Sequence, residues 1–193
     1  MPCQGETDMQ KHNIREISKL LSFLFVCFVF NGTSHAASTT EIDIKTSASL
    51  ENFKEEVLGA EKFLEKAEGV LVFPDVVKAG FGIGGEYGEG SLLIKGKTVD
   101  YYSTAAVSIG FQFGAQFKTV MLIFLQKDAL DNFRNSDGWE AGVDGSVALV
   151  KLGAGKDINT VNFAEPIVGF VFSNKGLMYN LTLEGSKMTK MDK

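Results

Sequence analysis

Residues 70–90 read VLVFPDVVKAGFGIGGEYGEG, and they give the strongest indication of the fold. Val70–Phe73 is a short apolar run typical of a buried strand, and Pro74 is expected to end it. The glycine-rich part that follows predicts one glycine-lined face of a strand, consisting of Gly80, Gly82, Gly84 and Gly85. Because alternate residues of a strand share a face, such glycines allow another backbone, a side chain or an acyl chain to approach closely. They predict a tightly bent sheet.

The glycines also satisfy the spacing G-x-G-x-x-G at Gly80, Gly82 and Gly85. A dinucleotide-binding loop needs a helix to begin directly after this motif, because the helix N-terminus holds the pyrophosphate. Here the chain continues with more glycine and then with a strand-like pattern, and no G-K-[ST] follows. The sequence therefore predicts structural glycines and no nucleotide cofactor.

Upstream of this stretch, apolar residues recur at steps of three and four from Leu50 to Ala67, with glutamate and lysine between them. This spacing predicts an amphipathic helix, with Ser49 as its N-cap and Gly69 as its stop. Such a helix is expected to pack on a sheet.

Downstream, the pattern favours strands separated by turns. The predicted strands are residues 91–94 and 99–102, which form a hairpin about the turn 95–97, then 105–115, 119–125, 142–152, 167–172 and 177–183. Residues 128–134 predict a short helix, and 153–155 and 174–176 predict turns. The expected fold is α+β: a curved antiparallel sheet or partly closed barrel of about seven strands, with one long N-terminal helix and short helices.

Residues 1–36 have the pattern of a secretory signal peptide. Three basic residues precede the apolar run 20–30, and Ser34-His35-Ala36 is a small-x-small site, so cleavage is expected after Ala36. One alternative is a buried N-terminal helix. The other is a lipoprotein signal at Cys27, but the bulky residues Phe25 and Val26 before it disfavour lipid attachment. Translation starts at either Met1 or Met9. The predicted layout is a signal peptide at 1–36 and one domain at 37–193, exported to the periplasm.

Removal of residues 1–36 would remove both cysteines and both histidines of the chain. The remaining domain would lack the imidazole base, the thiol nucleophile and most ligands for zinc, haem or iron–sulfur clusters. The sequence thus predicts a protein that is not an enzyme and holds no metal. A net charge of −5 argues against binding nucleic acid, because that requires clustered lysine and arginine.

Several motifs that follow one another along the chain resemble those of the SYLF domain family, over about residues 50–190. They are the block 70–74 running into 78–90, and then 99–102, 110–116, 133–136, 138–140, 143–146, 173–177 and 183–185. The resemblance implies a lipid-binding module. Eukaryotic members bind phosphoinositides, some bind actin filaments, and the domain is also called a Ysc-type actin-binding domain. An exported protein meets no actin of its own cell, so actin binding is not expected here.

The expected function is therefore non-catalytic binding of membrane phospholipid, with anionic or phosphoinositide-like headgroups, at the cell envelope. Lysines are the candidate contacts: Lys78 beside the glycines, Lys95 and Lys97 in a turn, and Lys187, Lys190 and Lys193 in the C-terminal segment. Each of the three C-terminal lysines is expected to contribute about 1 kcal/mol to binding when it lies near an anionic surface. A structural or interaction scaffold of the envelope, with a protein partner, is the alternative, and an enzyme that uses carboxylate, tyrosine or lysine side chains is a third hypothesis.

Overall fold

The computed structural model describes residues 37–151, 164–176, 183 and 185–193. The predicted signal peptide, the predicted turn at 153–155 and nearly all of the predicted strand 177–183 lie outside the described residues. Residues 37–193 form one compact unit. Among the described residues, no helix is both long enough and apolar enough to cross a membrane.

Two helices precede the sheet: α1, Thr39–Glu56, and α2, Ala60–Glu65. The Ser38 hydroxyl caps α1 by accepting a hydrogen bond from the Glu41 N–H at 3.2 Å. Gly59, with φ of 86°, precedes α2 in the left-handed region that glycine tolerates best. The prediction of one helix from Leu50 to Ala67 is therefore wrong in its bounds. The apolar spacing runs on through the break, so the pattern could not reveal it.

The centre of the fold is a single long hairpin. Strand β1, Gly69–Ile94, pairs antiparallel with strand β2, Lys97–Phe124. Lys95 and Gly96 connect them in a tight turn, both with positive φ, which suits the twist of a hairpin. The shorter strands predicted on either side of that turn are therefore parts of two continuous long strands, β1 and β2.

Pro74 lies within β1 and does not end it. The register between β1 and β2 shifts between Phe73 and Val76, so the ladder is irregular where proline has no N–H to donate. The Thr119 hydroxyl donates to the Pro74 carbonyl at 2.9 Å and holds this irregular segment in place.

The other described strands extend the sheet from β2. They are β3, Trp139–Glu140; β4, Ala148–Lys151; β5, Ile167–Gly176; and β6, Lys187–Met191. The order is β3-β6-β2-β5-β4, with β1 also paired to β2. Helix α3, Lys127–Asn135, follows β2, where a short helix is predicted. The α+β class with a curved sheet is confirmed. The sheet is mixed, however, because β4 runs parallel to β5.

Both faces of the sheet are covered where β2 ends. Met121 and Ile123 of β2 belong to one apolar cluster with Phe53 of α1 and Phe63 of α2. The alternate residues of β2 belong to a second cluster on the opposite face, which includes Leu122, Phe124, Phe133 and Trp139. The Phe133 and Trp139 rings meet edge to face at 5.5 Å. This double burial fixes the base from which the hairpin extends.

Candidate functional site

The glycine-rich part of β1 is a sharp bend. A Cβ atom added at Gly80 would lie 2.4 Å from the Gly84 Cα, so the backbone at these two positions is in direct contact. The register with β2 also shifts between Phe81 and Ile83. Only residues without side chains permit this approach, so the predicted close approach at the glycines is one of backbone to backbone.

The two halves of β1 cross beyond this bend; we call residues 70–80 the proximal arm and residues 84–94 the distal arm. A Cβ at Gly88 would lie 2.8 Å from Val76 Cγ2, and one at Gly90 would lie 2.0 Å from the Val72 carbonyl oxygen. The glycines of the distal arm thus let it pack directly on the backbone of the proximal arm. This crossing curls the hairpin into a half-barrel.

The predicted glycine-lined face needs one correction. Gly84 is buried and Gly80 is half-buried at the bend, and Gly82 lies between them at the register shift. Gly85 instead lies on the outer face, where nothing comes within 4 Å of an added Cβ. Because side chains alternate along a strand, an odd-numbered residue cannot share a face with its even-numbered neighbours.

The inner face of the curled hairpin carries polar side chains, which we call the interior polar cluster: Lys78, Glu86, Gln116 and Lys118. Lys118 Nζ lies 2.9 Å from Glu86 Oε1, and the two side chains are only 0% and 7% exposed. Glu86 is on the distal arm of β1 and Lys118 is on β2, so their ion pair connects the distal arm to the part of β2 that pairs with the proximal arm.

Lys78 lies in the same cluster. It pairs with Gln116 in the β1–β2 register, and Val76, two residues earlier, pairs with Lys118. Since Gly80 contacts Gly84 and Gly88 contacts Val76, the intermediate residues Lys78 and Glu86 occupy matching positions on the two arms. Lys78 is only 3% exposed. Its predicted role at a bilayer surface is thus inconsistent with its position, because it faces inward.

The opposite side of the hairpin is apolar and exposed; we call it the outer apolar face. Its large members are Val77, Ile83, Tyr87, Val107 and Phe117. Val107 is 80% exposed and Ile83 is 67% exposed. Val77 pairs with Phe117, and Gly85 pairs with Val107, so these residues lie side by side on two strands. Exposed large apolar side chains grouped on one side of two paired strands are typical of a binding face.

One cation flanks this face. Lys175 of β5 pairs with Phe117 of β2 and is exposed, which places it at the border of the outer apolar face. Sequence patterning assigned residues 174–176 to a turn and so missed this lysine. The pairing of β5 with β2 is a long-range contact that periodicity does not report.

The C-terminal lysines lie in or beside strand β6. Lys190 pairs with Asp100 at 2.6 Å, and Lys193 pairs with Glu89 at 2.7 Å. Met188 is 1% exposed and belongs to the core. The segment is therefore part of the sheet, and Met188 is inaccessible to a membrane. Lys95 and Lys97 are exposed at the hairpin turn, far along the chain from β6.

Glu89, in the middle of the distal arm, accepts hydrogen bonds from three donors. It accepts hydrogen bonds from the Ala37 N–H at 3.1 Å, the Tyr87 hydroxyl at 2.9 Å and Lys193 Nζ at 2.7 Å. Burial alone would raise the pKa of this carboxyl, but the hydrogen bonds from Lys193 and Tyr87 outweigh burial and hold its pKa below the usual value. Glu89 therefore serves as a structural anion.

Other carboxylates have local partners as well. Asp144 accepts a hydrogen bond from the Glu140 N–H at 2.7 Å within its own turn. Asp100 pairs with the Arg134 guanidinium at 3.2 Å, a contact between β2 and α3. Within the described residues, no group of three or more His, Cys, Asp or Glu side chains is placed to hold a metal ion.

The curled hairpin and its sheet define an α+β half-barrel with a polar interior and an apolar exterior. Residues 105–193 match the Ysc84 family model, whose description is "Las17-binding protein actin regulator". This match confirms the resemblance to the SYLF family over that part of the chain. The family suggests binding of lipid or actin-related binding. No curated protein matches the chain.

Proposed function

We propose that this protein is an exported, non-catalytic lipid-binding protein that binds anionic phospholipid at the cell envelope. The observation that carries the proposal is the outer apolar face, with Ile83 and Val107 mostly exposed on neighbouring strands of a rigid hairpin. The family match to residues 105–193 also supports it, because the family suggests binding of lipid or actin-related binding.

Entry of this face into the headgroup boundary provides the driving force. Fully burying an apolar side chain the size of valine or phenylalanine contributes roughly 1.5–3 kcal/mol. Five such residues lie on the outer apolar face, so partial insertion of a few is enough for reversible binding.

Lys175 gives the face a preference for anionic lipid. It is adjacent to Phe117, so its ammonium group reaches the headgroups when Phe117 enters the boundary. One lysine near an anionic surface contributes about 1 kcal/mol. Lys95 and Lys97 are also exposed, but they lie at the β1–β2 turn, eight or more strand residues from the outer apolar face, and are not expected to contribute to the same contact. Lys190 and Lys193 contribute less, since each already neutralises a carboxylate.

Vesicle co-sedimentation tests the proposal, using phosphatidylcholine vesicles with and without phosphatidylglycerol. Val107→Asp should lower binding at least tenfold, because it places a charge in the inserted surface. Val143→Asp is the matched control: Val143 is also strongly exposed, but it lies in a turn away from the hairpin. Lys175→Gln should lower binding to the anionic vesicles alone, by about fivefold, with a shallower salt dependence.

Equal losses for the Val107 and Val143 variants would contradict binding through the outer apolar face. Absence of binding to every vesicle, together with a stable envelope protein recovered by pull-down, would favour the scaffold function instead.

A further inference from the structure

The interior polar cluster is positively charged overall, and its charges lie inside the protein. Lys78 is 3% exposed, Lys118 is 1% exposed and Glu86 is 8% exposed. The cluster thus contains two lysines and one carboxylate, and only Lys118 pairs with that carboxylate. An isolated charge in a protein interior is costly unless it is paired and hydrogen-bonded. Among residues 37–151, 164–176, 183 and 185–193, the cluster therefore lacks one negative charge.

The hydrogen-bonding capacity is also unfilled. Lys118 Nζ is close enough to Glu86 Oε1 for an ion pair, but it makes no hydrogen bond within the described residues. An ammonium group offers three donors. No ion pair or hydrogen bond of Lys78 occurs among the described residues either. Donors thus outnumber acceptors in a buried space.

We propose that the interior polar cluster is a binding site for one anionic oxygen group, a carboxylate or phosphate, of a single amphiphile. Such a group would supply the missing negative charge and accept hydrogen bonds from Lys78 and Lys118. Glu86 would remain as the internal counter-ion that keeps Lys118 in position. The backbone contact between Gly80 and Gly84 closes the bend two residues from Lys78 and two residues from Glu86, so the cluster lies just behind the bend.

The site differs from the membrane-binding face proposed above. Lys78 points inward, whereas its neighbour Val77 belongs to the outer apolar face. The inference stands whether or not the outer apolar face binds vesicles, and Val107→Asp is expected to leave it unchanged.

Thermal unfolding of the residue 37–193 unit and of the full chain measures this site, with dodecanoate, dodecyl phosphate, inorganic phosphate and neutral dodecyl maltoside as probes. We expect the anionic amphiphiles to raise the unfolding temperature in a saturable manner and the maltoside not to do so. A ligand that binds only the folded state stabilises it in this way.

Lys78→Met is the decisive variant, because it removes the unpaired charge and leaves the Lys118–Glu86 pair intact. It should lower the affinity for the anionic amphiphiles at least tenfold. It should also raise the unfolding temperature without ligand, so loss of binding cannot be attributed to misfolding. Lys97→Met is the control, since it removes the same charge from an exposed position.

If inorganic phosphate alone stabilised the protein in a saturable manner, and Lys78→Met abolished this effect, the ligand would be a free anion rather than a lipid. The proposed anion site itself would still be supported. Equal affinities of the Lys78 and Lys97 variants, or stabilisation by no anion, would overturn the inference. Vesicle binding that persists in Lys78→Met shows that the two sites are separate.

Discussion

Gly90→Ala tests the crossing of the two arms of β1. The added methyl group would lie 2.0 Å from the Val72 carbonyl oxygen and 2.8 Å from Phe73 Cδ1. An ordinary contact needs about 3.5 Å, so the arms must separate by roughly 1.5 Å. The obstructing atom is backbone, and no rotamer change can relieve the contact. The displacement loosens Phe73 and Leu92, which are both fully buried.

Overpacking of this kind costs about 3 kcal/mol. For a domain of this size that corresponds to a fall in unfolding temperature of roughly 6–12 °C. Urea denaturation followed by Trp139 fluorescence gives the free energy of unfolding, since Trp139 is the single tryptophan of the chain.

Gly85→Ala is the matched control, because Gly85 lies in the same strand with open space around it. It should stabilise the protein by about 0.5 kcal/mol, since alanine loses less backbone entropy than glycine in a strand. If the two variants shifted stability equally, direct packing of the arms would be wrong.

Two further predictions follow from the core. Burial, and then the charge of Asp100, raise the pKa of Tyr102 to about 12, and its hydroxyl has no hydrogen-bond partner within the described residues. Because the pKa of Tyr102 is raised in the folded state, its contribution to stability should be constant below pH 10 and should fall between pH 10 and 12. Tyr102→Phe should reduce this alkaline loss, to which Tyr87 and Tyr101 also contribute because burial raises their pKa values as well. It should raise the free energy of unfolding at pH 7 by about 1 kcal/mol, whereas a loss of stability at pH 7 would indicate a partner for the hydroxyl. Truncation after Gly185 removes β6 and the buried Met188, so it should abolish cooperative unfolding in calorimetry; a cooperative transition in that variant would show that β6 is dispensable.

The parts of the fold that local chemistry controls were predictable from the sequence. The Lys95-Gly96 turn, the short helix after β2 and the bend at the alternating glycines each depend on a few adjacent residues. The helix bounds were not predictable, because the apolar spacing continues across Gly59. The course of β1 through Pro74 was also hidden, since it depends on Thr119 holding the Pro74 carbonyl from another strand.

The candidate sites show the same division. Lys78 was recognisable as a lysine beside the glycines, but its burial follows from the crossing of the arms. The partnership of Lys118 with Glu86, and the place of Lys175 beside Phe117, both depend on pairing between distant segments. Such contacts leave no periodic signal in a single sequence. The inward and outward faces of the hairpin therefore became distinguishable only once the register was known.

The single long hairpin also has a consequence for the order in which the protein folds. Pairing can start at the Lys95-Gly96 turn, where Ile94 and Lys97 are already neighbours along the chain. Each further residue pair then closes only a small additional loop, so pairing of β1 with β2 can proceed residue by residue from the turn towards Gly69 and Phe124. Substitutions at the turn should therefore slow folding, whereas substitutions near Gly69 should mainly accelerate unfolding.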